Sequence, residues 1–215
     1  MAVLASGYLV SLVAFPMLPG PFLGDVPAAR WLMALTLPTT ALVIDRLFRS
    51  LWTHDRIRSG NGAFAATYDA IVLRILLFVL ALHVLVTLEL TGALTAIGAR
   101  APAGRLVVVL LGLVFVAIGN LLPRTRPNVA VGVRTKRTLT NERLWAVVHR
   151  VGGYVTVGLG LFIGIAGLAL THELLGGVVG AAAGLAAAIV LVWHRRLRPC
   201  LNARSIRAAS SGSDR

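Results

Sequence analysis

The chain has 215 residues, of which 57% are apolar and 13% charged, and its mean hydropathy is +0.84. Soluble domains carry about 45–50% apolar and about 25% charged residues, so a water-soluble globule is excluded and a membrane protein is indicated. The 21 Lys and Arg against 8 Asp and Glu leave a net charge of +13. No recognition helix, zinc-ligand set or aromatic-studded basic groove accompanies that charge, so it is assigned to cytoplasmic loops and anionic lipid rather than to direct nucleic-acid binding. The single cysteine, Cys200, excludes an intrachain disulfide and a multi-cysteine zinc site.

A bilayer-spanning helix needs about 20 apolar residues. Apolar stretches run over residues 3–18, 26–44, 71–93, 106–122, 146–170 and 174–193. They predict an all-α, polytopic membrane protein of about six transmembrane helices. It reads as one domain over 1–194, with an N-terminal half 1–100 and a second half 101–194, and a basic tail over 195–215 with a small, polar and disordered end. The start, Met1 to Leu4, lacks the positive n-region of a secretory signal and is read as the first span. The second stretch has Arg30 near its start and Pro38 in its middle. A kink is expected there, and a neighbouring group must satisfy the carbonyl that the proline frees.

Charge sets the expected orientation. Arg46, Arg49, Arg56 and Arg58 lie between the second and third stretches, and Arg124, Arg126, Arg134, Lys136, Arg137 and Arg143 between the fourth and fifth. Arg195, Arg196, Arg198, Arg204, Arg207 and Arg215 follow the sixth. The positive-inside rule then places both termini in the cytoplasm, with Arg30, Arg100 and Arg105 on the other side.

Glycines predict helix contacts. Gly176, Gly180 and Gly184 recur every four residues in the sixth span, and Gly153, Gly160, Gly164 and Gly167 fall on nearly one face of the fifth. Small residues at this spacing let backbones approach in lipid, so spans five and six are expected to pack as a pair. The run from Gly158 to Ile163 is packing sequence and not a dinucleotide loop, because it follows no strand and has Ile at its sixth position.

Span three carries Arg74, His83 and Glu89, and Asp45 closes span two. Arg74 and Glu89 lie near opposite ends, where long side chains reach the headgroups. His83 is deep, and at 100° per residue it lies about 180° from Arg74, so the three form no cluster by themselves. Two readings stay open. In one, Asp45, Arg74, His83 and Glu89 line a polar pathway for protons or a ligand. In the other, which is preferred, Arg74 pairs with Asp45 or Asp69 and His83 donates to a carbonyl of a neighbouring helix. There is no metalloprotease, serine-hydrolase or phosphate-loop motif. Neither an enzyme, a cofactor nor a metal site is expected.

The segment from Gly119 to Gly153 holds the most specific composition. It contains Gly119, Asn120, Pro127, Asn128, Gly132, Arg134, Thr135, Thr138, Leu139, Thr140, Asn141, Trp145, His149, Arg150, Gly152 and Gly153. Pro127, Asn128 and Gly132 are turn residues, Thr140 or Asn141 can cap the next helix, and Trp145, His149 and Gly153 then recur at helical spacing. These residues resemble the pattern of the SdpI-like family, bacterial integral membrane proteins named for immunity to the sporulation-delaying protein toxin. Val129 and Ala130 stand where many members carry aromatics, and Lys136 where they carry proline.

The resemblance implies six spans, protection against a membrane-active peptide toxin, and signalling in which the occupied protein draws a cytoplasmic transcriptional repressor to the membrane. It places the functional motif on Asn120, Pro127, Asn128, Gly132, Arg134, Thr135, Thr138, Asn141, Trp145, His149 and Arg150. A purely structural account of the same residues has Arg134 and Asn128 capping helix ends, Trp145 anchoring at the membrane interface, and His149 with Arg150 holding the loop. Against an immunity receptor stand a small proton-linked exporter using the intramembrane charges, and a membrane enzyme acting at the cytoplasmic face.

Overall fold

A computed structural model describes residues 1–19, 28–59, 65–96, 103–170, 174 and 176–192. The first connection at 20–27, Arg100, Cys200 and the basic tail lie outside the described residues. Every described element is helical: α1 (Ala2–Ala14) with a 3-10 turn (Phe15–Met17), α2 (Ala28–Ser59), α3 (Ala65–Leu90), α4 (Ala93–Ala96) and α5 (Ala103–Gly119). A second 3-10 turn (Leu122–Arg124) leads to α6 (Lys136–Thr140), α7 (Glu142–Ala169) and α8 (Gly176–Val192). The described parts of all six apolar stretches are thus largely helical. Four helices, within α2, α3, α5 and α7, are long and apolar enough to cross a membrane, while Ala2–Met17 and Gly176–Val192 are apolar but shorter.

Helix α2 runs well past the end of its apolar stretch. Hydropathy detects only the apolar part of a helix, whereas Arg49 Nε to Asp45 Oδ2 at 2.8 Å is a favourable i,i+4 pair that carries the helix on. At the far end of α3, Gly92 takes φ +73°, the left-handed geometry that ends a helix, and its N–H bonds to Glu89 O.

The bundle has two packed groups joined by α3. In the first, α1, α2 and α3 bury Leu4, Ala41, Leu76 and Val79 against one another. In the second, α5 and α7 form the most intimate pair, and α3 also packs on α5.

The kink residue organises the first group. Pro38 has no N–H for the carbonyl four residues earlier, which is Ala34 O. The Ser11 hydroxyl, buried on α1, donates to that carbonyl. The Ser11 oxygen in turn stands 2.9 Å from His83 Nε2 on α3. Gly7 gives the proline ring room, since a Cβ at Gly7 would be 3.6 Å from Pro38 Cβ. One proline therefore recruits a hydroxyl and an imidazole from two other helices. Ser11→Ala is expected to cost about 1–3 kcal/mol, because it strands a carbonyl and an imidazole N–H in the interior. Pro38→Ala supplies a helical N–H for Ala34 O, so the same Ser11→Ala change should cost less in that background. Unfolding midpoints of the four proteins of this cycle in mild detergent check this, and strict additivity would refute it.

The glycine prediction needs a correction. The close partner of α7 is α5, not α8. A Cβ at Gly160 would lie 2.6 Å from Gly112 O, one at Gly153 2.8 Å from Gly119 O, and one at Gly112 2.7 Å from Gly164 N. Among the described residues, nothing lies within 4 Å of a Cβ placed at Gly176, Gly180 or Gly184. Spacing on one helix marks a small-residue face without naming its partner, and Gly112 and Gly119 on α5 provide the complementary hollows. Along α8, residues such as Val178, Ala182 and Leu185 instead share an open groove with Val155, Leu159 and Phe162 of α7.

Candidate functional site

The segment between α5 and α7 is a loop folded by its own side chains. A buried Asn128 uses its whole bonding capacity. Its amide donates to Arg126 O at 2.7 Å and Val131 O at 3.2 Å, and its oxygen accepts from the N–H groups of Ala130 and Val131 at 2.9 and 2.7 Å. Two donors and a two-lone-pair acceptor on a short stem are what this turn requires. Asn128 caps no helix, contrary to the structural account above.

Past the turn the chain meets α7. Val133 N–H donates to His149 Nε2 at 3.0 Å, and His149 Nδ1 lies 2.9 Å from Trp145 O. Because Nε2 accepts, Nδ1 must carry the proton, so the imidazole is neutral and used at both nitrogens. Thr135 and Thr138 then form a capping box that starts α6, while the Thr138 hydroxyl donates back to Val133 O at 2.8 Å. Of the two capping residues open in the sequence, Asn141 is the one used: its Oδ1 accepts from Leu144 N–H at 2.9 Å and starts α7. Thr140 is the last residue of α6.

Trp145 ties the other end of the loop. Its indole N–H donates to Thr125 O at 3.0 Å, and its ring stacks on His149 with centroids 3.8 Å apart. Only 1% of Trp145 is exposed, so it is an internal pillar and not an interface anchor. Thr125 escaped the sequence reading, because the contact uses mainly its backbone oxygen, which leaves no trace in residue type.

The motif thus divides in two. Asn128, Gly132, Thr135, Thr138, Asn141, Trp145 and His149, with Pro127 ahead of the turn, build the frame. Arg134 and Arg150 are exposed on it, as are Asn120, Arg124, Arg126, Lys136, Arg137 and Arg143, with Glu142 the one acid of the segment. Among the described residues neither Arg134 nor Arg150 has a hydrogen-bond or ion-pair partner, so Arg134 caps no helix and Arg150 does not hold the loop. Among the described residues there is also no His, Cys, Asp and Glu group able to hold a metal. Chemically, the frame offers a fixed surface of guanidinium groups suited to phosphate or carboxylate.

The intramembrane residues have separate partners. Asp45 is buried and paired with Arg49, whereas Arg74 Nη1 donates to Ala70 O of its own helix at 2.8 Å. The expected pairing of Arg74 with Asp45 or Asp69 is therefore replaced by the shorter reach to a carbonyl one turn back. His83 Nε2 stands 2.9 Å from the Ser11 hydroxyl, and the ring also has a backbone hydrogen bond with Gly7 on α1, a neighbouring helix as expected. Glu89 is exposed at the other end of α3.

Spanning helices, a glycine seam and a self-locked basic loop define a helical membrane protein whose distinctive chemistry lies at one end of the bundle. The SdpI/YfhL protein family is matched over residues 124–194, from the second 3-10 turn through the loop and α7 into α8 and just beyond. Over that segment, about a third of the chain, the resemblance read from the motif is shown. Nothing among curated proteins or solved structures matches the chain.

Proposed function

We propose that this protein is a multi-pass immunity protein of a bacterial plasma membrane, with six spans and both termini in the cytoplasm. It protects the cell from a membrane-active peptide toxin and performs no catalysis. The observation that carries this reading is the coincidence of the family match with the locked loop. A connector needs only to reach from one helix to the next, yet this one spends six side chains and a positive-φ glycine on a frame that holds cations outward. Such a surface suits anionic lipid, and an acidic face of a cytoplasmic partner such as a transcriptional repressor. Toxin bound among the spans can alter that surface only by favouring one of two arrangements of the bundle.

Survival of a sensitive bacterium expressing the protein, across a panel of membrane-active peptide toxins, tests the reading at matched membrane levels. Selective protection is expected. Arg134→Ala should lower the tolerated toxin concentration by about tenfold, the worth of one charge-assisted contact, while Arg124→Ala leaves it unchanged. Protection from none of the toxins would refute immunity and move the assignment toward transport. Protection insensitive to Arg134→Ala, but lost with His83→Ala, would shift the site from the loop to the spans.

A further inference from the structure

A cleft of about 540 Å³ lies among α1, α2 and α3, where two apolar stretches end. Asp45 and Arg49 stand just past the stretch 26–44 and Asp69 just before the stretch 71–93, and all three line it. The same lining includes Leu73 and Leu76, from within span three, and Trp52 beside Tyr68 with ring centroids 4.8 Å apart. Charged groups, interfacial aromatics and leucines together mark the level where lipid headgroups meet acyl chains. The volume is that of a small-molecule site, about 300–1,000 Å³.

The charges in the cleft are incompletely paired. Asp45 is 3% exposed, and Arg49 Nε binds its Oδ2 at 2.8 Å. Asp45 Oδ1 has no hydrogen bond among the described residues, yet it is not sealed from solvent, so it opens into the cleft that Asp45 lines. Asp69 is exposed and has no ion pair among the described residues. Met1 also lines the cleft, but its amino group pairs with neither carboxylate. Two carboxylates therefore share one guanidinium, whose side chain is 64% exposed. A buried carboxylate oxygen gains most from a charged donor, and the cleft has room for one.

We propose that this cleft binds the headgroup of an aminophospholipid, a primary ammonium joined to a phosphate ester. The ammonium donates to Asp45 Oδ1 and to Asp69, and the phosphate lies outward by the exposed Arg49 guanidinium. The acyl chains leave past Leu73, which is 46% exposed on α3. A quaternary ammonium fits poorly because it has no N–H for Asp45, and a headgroup with negative charge alone meets two carboxylates. The site is distinct from the basic loop, and the inference does not depend on the immunity reading.

Native mass spectrometry of the full-length protein in detergent, titrated with phosphatidylethanolamine or phosphatidylcholine of the same acyl chains, tests the site. Phosphatidylethanolamine should bind about tenfold more tightly, the worth of one charge-assisted contact. Asp69→Asn and Asp45→Asn should each erase that preference. Asp69 is exposed, so its variant decides the matter even where Asp45→Asn fails to fold. Glu89→Gln removes an exposed carboxylate at the other end of α3 and should leave the preference intact. Equal binding of the two lipids, or a preference that survives Asp69→Asn, overturns the proposal. Glycerophosphoethanolamine, which has the headgroup without the chains, separates lipid from a soluble ligand. It should not displace the lipid at equal concentration, and displacement would overturn the lipid as occupant.

Discussion

Gly132→Ala is expected to unseat the basic loop. A Cβ at Gly132 would stand 1.9 Å from His149 Nε2, and the residue has φ +109°, where side-chain-bearing residues are rare. The methyl group therefore meets the atom that accepts Val133 N–H, and the backbone cannot turn away without breaking that bond. Neither penalty has a cheap relief, because the imidazole is bound at both nitrogens and stacked on Trp145. A loss of about 3 kcal/mol or more follows from strain plus a broken buried bond. Unfolding in a denaturing detergent series should show it, along with rapid tryptic cleavage at Arg134 and Arg137. Gly158→Ala is the matched control: nothing lies within 4 Å of a Cβ there, and alanine in a helix is neutral to favourable. Removing the obstructing ring gives a second check. His149→Ala is damaging by itself, but combined with Gly132→Ala the two costs should fall short of their sum. Wild-type stability in Gly132→Ala would show that Val133 and His149 do not hold the loop.

What the sequence made legible follows from the range over which each signal acts. The six apolar stretches were readable because the bilayer sets helix length and hydropathy averages over many residues. The motif was readable as a set of unusual residue types, and Asn128 as turn chemistry. The demand that Pro38 makes on a neighbour was also readable. Its answer was not, since Ser11 and His83 lie 72 positions apart in the chain and meet only in the folded bundle. For the same reason the motif could not be sorted in advance. Trp145 and Arg134 look equally functional in a string, yet one is a buried pillar and the other an exposed cation. Short-range alternatives defeated the expected pairings too, as Arg74 found a carbonyl one turn away and Asp45 an arginine one turn on.

The second large effect is expected at the α5–α7 seam. A Cβ at Gly112 would lie 2.6 Å from Gly160 O and 2.7 Å from Gly164 N, and both are backbone atoms that no rotamer change can move. Gly112→Ala must therefore push the helices apart, forfeiting the van der Waals contacts that hold helices together where hydrophobicity drives nothing. About 2–3 kcal/mol is the scale of such overpacking. Gly160→Ala should cost about the same, because its Cβ meets Gly112 O at 2.6 Å and Val116 N at 2.7 Å. Since one separation relieves both clashes, the double substitution should cost clearly less than the sum. Gly180→Ala on α8 is the contrast, expected within about 0.5 kcal/mol of wild type because nothing described approaches it. Unfolding midpoints of the four variants decide between the two seams. Damage at Gly180 equal to that at Gly112 would mean that α8 packs against a surface outside the described chain, a second copy being the simplest. The seam also bears on the loop. Gly119 and Gly153 close its lower end, and a Cβ at Gly153 would lie 2.9 Å from Pro123 Cδ in the turn that opens the loop. Widening the seam at Gly112 should therefore spread to Gly119, about two turns along α5, and from there loosen Thr125 from Trp145 and expose the indole. Quenching of tryptophan fluorescence by an aqueous quencher should then rise in Gly112→Ala and stay at the wild-type value in Gly180→Ala.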